Sequence, residues 1–91
     1  MQLSISNHAL GRYRERVLPE ETCSNLELRR NLVSSLKQTG VFATLADIAN
    51  AHNPPHYIKL KMQTSREVVD FNFRKVANTG RRYILTTLYS A

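Results

Sequence analysis

Apolar positions recur every three or four residues through the first part of the chain and every second residue through the last part. The sequence therefore reads as helices followed by strands. Residues 2–6, QLSIS, alternate and predict a short strand at a sheet edge. Ser6 or Asn7 then caps a helix running to about Leu18, with Leu10, Tyr13 and Val17 as its buried face and Pro19 as its end. Gly11 inside this helix costs about 1 kcal/mol relative to alanine; it either permits a close approach or simply weakens the helix. Ser24-Asn25-Leu26-Glu27 is a capping box, serine at the cap and glutamate three residues on. Behind it Leu28, Leu32, Val33 and Leu36 make one stripe. Lys37 in the last turn suits the dipole, and Gly40 terminates the helix. Residues 41–51 are ambiguous: VFATL suits a strand, LADIANA a turn or two of helix. Asn53-Pro54-Pro55 breaks whatever precedes it.

The period then becomes two. Residues 57–63 put Ile58, Leu60 and Met62 on one face and Lys59 and Lys61 on the other. Thr64-Ser65-Arg66 is a turn. Residues 67–76 put Val69, Phe71 and Phe73 inside, with Asp70, Asn72 and Arg74 outside. Asn78-Thr79-Gly80 is a second hairpin turn. Residues 82–89 form a last strand with two readings. Either Ile84, Thr86 and Leu88 face the core, or Tyr83, Leu85 and Tyr89 do. The expected fold is a single α+β domain over residues 1–91: a short N-terminal strand and a two-helix hairpin packed on a three- or four-stranded antiparallel sheet. One sheet face is then uncovered and carries Lys59, Lys61 and Arg74.

Charge sharpens this picture. The 91 residues carry a net charge of +6. Residues 1–50 hold six bases and five acids, and residues 51–91 hold seven bases and two acids, so the excess sits on the sheet-forming half. That imbalance points to an anionic partner, nucleic acid first and an acidic protein second. The single cysteine, Cys23, rules out an intrachain disulfide and a cysteine-based zinc site within one chain. No basic n-region or long apolar run opens the chain, and no stretch approaches the roughly 20 apolar residues of a membrane span. The cytoplasm is the expected location.

One short motif stands out. SNHALGRYRER places His8, Arg12 and Arg16 at i, i+4 and i+8 on one helix face, with Glu15 three residues from Arg12. His8-Ala9-x-x-Arg12-x-x-Glu15-Arg16 resembles the "HAxxRxxER" opening of small bacterial and phage proteins. Those proteins are grouped with the RelE/ParE-like toxin fold and the wider class of barnase-, EndoU- and colicin-like RNases. The element order is similar to that fold over most of the chain, and the terminal YILTTLY fits it. The resemblance implies an RNA- or ribosome-binding protein, with a metal-independent endoribonuclease toxin as its active form and an acidic antitoxin as a partner. It implies Lys59, Arg74 and Tyr83 as the catalytic set, matched by residue type and approximate location. His8, Arg12, Arg16, Lys61 and Arg82 would hold the nucleic acid. Gyrase-poisoning relatives keep the fold without the RNase chemistry, so fold alone does not give the reaction.

RNA cleavage without a metal needs a base for the 2′-OH, a cation at phosphorus and an acid for the leaving oxygen. Arginine suits the phosphate because it binds two oxygens at once. Lysine or tyrosine serves as base or acid only when its pKa is lowered, which clustered positive charge does. His8 in a first helical turn meets the positive end of the dipole, which disfavours its charged form; if the motif acts, an anion contact suits it better than catalysis. His52 and His56 flank Pro54-Pro55, so helical metal-ligand spacing does not apply, and no cofactor is expected. A different class of function also fits the charge: a non-enzymatic interaction protein, such as a phage-type inhibitor of a host enzyme, or a subunit of a nucleoprotein assembly.

Overall fold

The computed structural model describes residues 1–19, 22–76 and 81–91. The elements run β1 (Gln2–Ile5), α1 (Asn7–Arg16), α2 (Asn25–Gln38), α3 (Val41–Ala49), β2 (Tyr57–Gln63), β3 (Val68–Lys75) and β4 (Arg82–Ser90). The strands form one sheet in the order β1-β4-β3-β2. The helices share one core with a single face of that sheet. The α+β class is the expected one, with two corrections. The sheet is mixed: β1 runs parallel to β4, while β2, β3 and β4 are antiparallel neighbours. Three helices separate β1 from the other strands, so β1 is not held to the antiparallel pairing that a tight turn imposes. The helical layer also has a third member. Residues 41–49 are helical throughout, because Val41, Leu45 and Ala49, four apart, all reach the core. Burial of that face outweighs the strand preference of VFATL.

Local chemistry accounts for the helix ends. Ser6 caps α1 by accepting from the Ala9 amide at 3.0 Å, and α1 ends at Arg16, two residues earlier than the pattern suggests. Ser24 caps α2, accepting from the Glu27 amide at 3.3 Å. Gly40 takes φ of 83°, the left-handed conformation that closes α2 and opens α3. Gly11 settles the other way: a Cβ there would have nothing within 4 Å, so no close approach requires the glycine. The first hairpin turn is built around Thr64. Its Oγ1 accepts from the amides of Arg66 and Glu67 at 3.2 and 3.0 Å and donates to the Glu67 carbonyl at 2.7 Å. The second turn, Asn78-Thr79-Gly80, lies outside the described residues.

A bulge in β4 resolves the two readings of the last strand. Asn72 lies opposite Thr87 and Phe73 opposite Leu85, so Thr86 is the extra residue. Thr86 Oγ1 donates to the Asn72 carbonyl at 3.1 Å, and the Thr86 carbonyl accepts from Ser6 Oγ at 3.0 Å. The strand changes phase there. Tyr83 and Leu85 before the bulge and Leu88 after it all face the core, while Tyr89 faces away. Each uniform reading holds for one half of β4. The core that results joins Leu10 and Tyr13 of α1, the Leu28, Leu32 and Leu36 stripe of α2, and Val69, Phe71 and Phe73 of β3. Among the described residues, no helix is long and apolar enough to cross a membrane.

Candidate nucleic-acid interface

The sheet face away from the helices takes its side chains from alternate positions. β2 contributes Tyr57, Lys59, Lys61 and Gln63, and β3 contributes Val68, Asp70, Asn72 and Arg74. β4 adds Arg82, Ile84, Thr87 and Tyr89, and β1 adds Gln2 and Ser4. The register aligns these into rows across the strands. Tyr57 lies opposite Arg74, which lies opposite Ile84. Lys59 lies opposite Asn72 and then Thr87. Lys61 lies opposite Asp70 and then Tyr89. Arg74 is thus the diagonal neighbour of Lys59, at the roughly 7–8 Å typical of such positions. Two aromatic rings stand at opposite corners of this area, Tyr57 at 76% exposure and Tyr89 at 43%.

Positive charge dominates the face. Among the described residues of its strands, Lys59, Lys61, Arg74 and Arg82 stand against one acid, Asp70. Asp70 Oδ1 lies 3.6 Å from Lys61 Nζ, and that oxygen is buried without a hydrogen bond among the described residues. Asp70 therefore holds Lys61 toward the middle of the sheet and leaves Lys59 and Arg74 as cations without an acid in their rows. Arg82 is committed at the β1 side, donating through Nε and Nη2 to Gln2 Oε1 at 3.1 and 2.9 Å.

The residues expected to act together divide between two surfaces. Lys59, Lys61, Arg74 and Arg82 share the open face. Tyr83 does not: it is fully buried on the helix side of β4 and donates its hydroxyl to the Pro55 carbonyl at 2.6 Å. Burial pushes its pKa above the ordinary 10.0, away from the value a proton-transfer role at neutral pH needs. The cause is the bulge, which puts Tyr83 in the phase of Leu85 and Leu88. The His8, Arg12 and Arg16 stripe belongs to the helical layer, and its members differ. His8 is exposed in the first turn of α1. Arg12 meets Glu15 at 4.0 Å, and its Nε is buried without a hydrogen bond. Arg16 is tied to the end of β4: it donates to Ser90 Oγ at 2.8 Å, and Ser90 Oγ donates to Glu67 Oε1 at 3.0 Å. That use makes Arg16 a link between α1 and the sheet.

Two aromatic members of the face, Tyr57 and Tyr89, lie outside the set that charge selects, and Asp70, put on this face by alternation, gains its partner only from the register. Tyr57 is in phase with Lys59, so alternation alone places it beside the lysines. Asp70 falls opposite Lys61 once the turn at residues 64–66 sets the hairpin register. Tyr89 depends on the bulge and was open. Among the described residues no group of three or more His, Cys, Asp and Glu stands close enough to hold a metal ion. Comparison with protein-family models, with curated proteins and with solved structures returns no match to this chain.

Proposed function

We propose that this protein binds RNA, free or within the ribosome, on the open face of its sheet. The observation that carries the reading is the pairing of two exposed tyrosines, Tyr57 and Tyr89, with Lys59, Lys61 and Arg74 on one helix-free surface. Splayed bases stack on aromatic rings while cations follow the backbone, and both components are needed for a single strand. Duplex DNA would be met mainly through phosphates and has no use for the rings. The reading is of binding rather than cleavage, because Tyr83 lies on the other side of the sheet from Lys59 and Arg74. The similarity to RelE/ParE-like toxins agrees with an RNA partner. It also keeps endoribonuclease activity as a question for assay, with Lys59 and Arg74 as the residues to replace.

The test incubates the purified protein with labelled structured RNA and with a single-stranded oligoribonucleotide, with and without ribosomes. Lys59→Ala, Arg74→Ala and Tyr57→Ala are run beside it. Loss of one stacking partner is expected to weaken binding by about 1–3 kcal/mol. Removal of one phosphate contact should flatten the slope of log K against log salt by about 0.7. Cleavage abolished by Lys59→Ala or Arg74→Ala would make the protein a nuclease. Neither binding nor cleavage would remove the RNA reading and leave the inhibitor or assembly-subunit alternative.

A further inference from the structure

β2 is the outer strand of the sheet, and its free side has a definite chemistry. The amide of Lys75 donates to the His56 carbonyl at 2.7 Å, and that of Thr64 to the Glu67 carbonyl at 2.9 Å. With the register Ile58 to Phe73 and Leu60 to Phe71, the even-numbered residues of β2 turn their backbone groups toward β3. The odd-numbered residues, Tyr57, Lys59, Lys61 and Gln63, therefore point their N–H and C=O groups outward. Among the described residues nothing hydrogen-bonds those groups. The strand is seven residues long, with no proline or glycine within it. In the same residues the side chains stand on the open face, so the free edge and the two lysines coincide.

This coincidence selects the strand that can pair there. In an antiparallel addition, the residues opposite Lys59 and Lys61 lie directly across from them, about 5 Å away between Cβ atoms. A second copy of this chain would bring its own β2. Every antiparallel register that pairs the outward-facing residues of two copies then sets lysine against lysine or close to it, which is unfavourable. An extended segment with acids two residues apart reverses the sign. Its intervening residues would fall on the side of Ile58, Leu60 and Met62, where Leu60 is only partly buried.

We propose that β2 is a docking edge for an acidic, alternating β-strand of another protein, which adds to the sheet as a fifth strand and sets its acids opposite Lys59, which has no acid in its row, and Lys61. Main-chain hydrogen bonds supply the affinity, and the two lysines choose the sequence. The proposal stands on the edge geometry alone and holds whether or not the open face takes RNA.

The probe is a synthetic seven-residue peptide with glutamates at two positions separated by one valine, added to the ¹⁵N-labelled full chain. Amide hydrogen exchange is followed residue by residue. In the free protein the amides of Tyr57, Lys59 and Lys61 should exchange faster than those of Ile58, Leu60 and Met62. The peptide should slow the first set at least about tenfold, the change that 1.4 kcal/mol produces, and leave the second set unchanged. N-methylation of the peptide amides that face β2 should abolish the effect. A double variant, K59E with K61E, should lose the glutamate peptide and accept one with lysines in their place. The single variant K59E, which leaves the Lys61–Asp70 pair at 3.6 Å intact, is run beside it and should also weaken the glutamate peptide, and circular dichroism checks the fold of both. The proposal is overturned if the odd-numbered amides are slowed by less than about tenfold at about 1 mM peptide, the slowing that a Kd of about 0.1 mM produces. It is also overturned if the N-methylated peptide works as well, or if glutamate and lysine peptides bind alike.

Discussion

Replacing Tyr83 by phenylalanine separates a core role from a role at the open face. The ring of Tyr83 is fully buried, and its hydroxyl makes one hydrogen bond, to the Pro55 carbonyl at 2.6 Å. Phenylalanine keeps the ring volume, so no cavity term arises. What is lost is the hydrogen bond that anchors the Pro54-Pro55 segment to β4, a net contribution of about 0.5–1.5 kcal/mol. Pro55 itself is exposed, so its carbonyl regains water and the cost stays at that net level. For a domain of this size each kcal/mol lowers the melting temperature by about 4–8 °C. Lys59→Ala changes an exposed side chain and should leave stability within about 0.5 kcal/mol. Thermal unfolding by circular dichroism and RNA binding by fluorescence anisotropy, the latter measured well below the transition, should then give opposite patterns. Tyr83→Phe lowers the melting temperature and leaves RNA affinity intact, and Lys59→Ala does the reverse. A Tyr83→Phe protein that melts like the parent but loses RNA binding or cleavage tenfold would refute the placement of Tyr83 in the core.

Three further outcomes follow from the same structure. Gly11→Ala should stabilise the protein by about 0.5–1 kcal/mol in chemical denaturation, because the position is exposed and an added Cβ meets nothing within 4 Å. Ser6→Ala should cost about 1–2 kcal/mol, more than an ordinary cap, since Ser6 Oγ both accepts from the Ala9 amide and donates to the Thr86 carbonyl at the bulge. Stability should fall as pH rises above about 10. Burial raises the pKa of Tyr13 and Tyr83 above 10.0, so each favours folding while neutral in both states. That contribution is present below 10.0 and is lost as pH climbs toward the folded-state values. Denaturant midpoints measured against pH for the parent and for Tyr13→Phe should show a shallower alkaline loss in the variant.

Much of the fold was legible because local rules and burial agreed. The capping serines, the stripe of Leu28, Leu32 and Leu36, and the alternation in β2 and β3 each state their structure within a few residues. The same alternation puts Lys59, Lys61 and Arg74 on one surface without reference to any tertiary contact. Local rules failed at residues 41–49, where a strand-like composition becomes a helix because its four-residue spacing finds a core to fill. They failed again at β4. Alternation there is broken by one residue, and no local signal marks Thr86 as the extra one. The bulge is set by partners remote in sequence, Asn72 across the sheet and Ser6 at the start of α1.

That single phase change decides the candidate site. It withdraws Tyr83 into the core, turns Tyr89 out beside Asp70, and so exchanges one tyrosine for another on the basic surface. The parallel pairing of β1 with β4 is likewise a matter of chain path and not of composition. The amino-acid sequence by itself determined the class of the fold, the excess of positive charge in the second half and the lysines of one strand face, because a period of two needs only neighbouring residues to be read. The tertiary structure alone decided which aromatic rings join that charge and which strand edge is left unpaired. Both depend on register, and register is chosen by contacts between residues far apart in the chain.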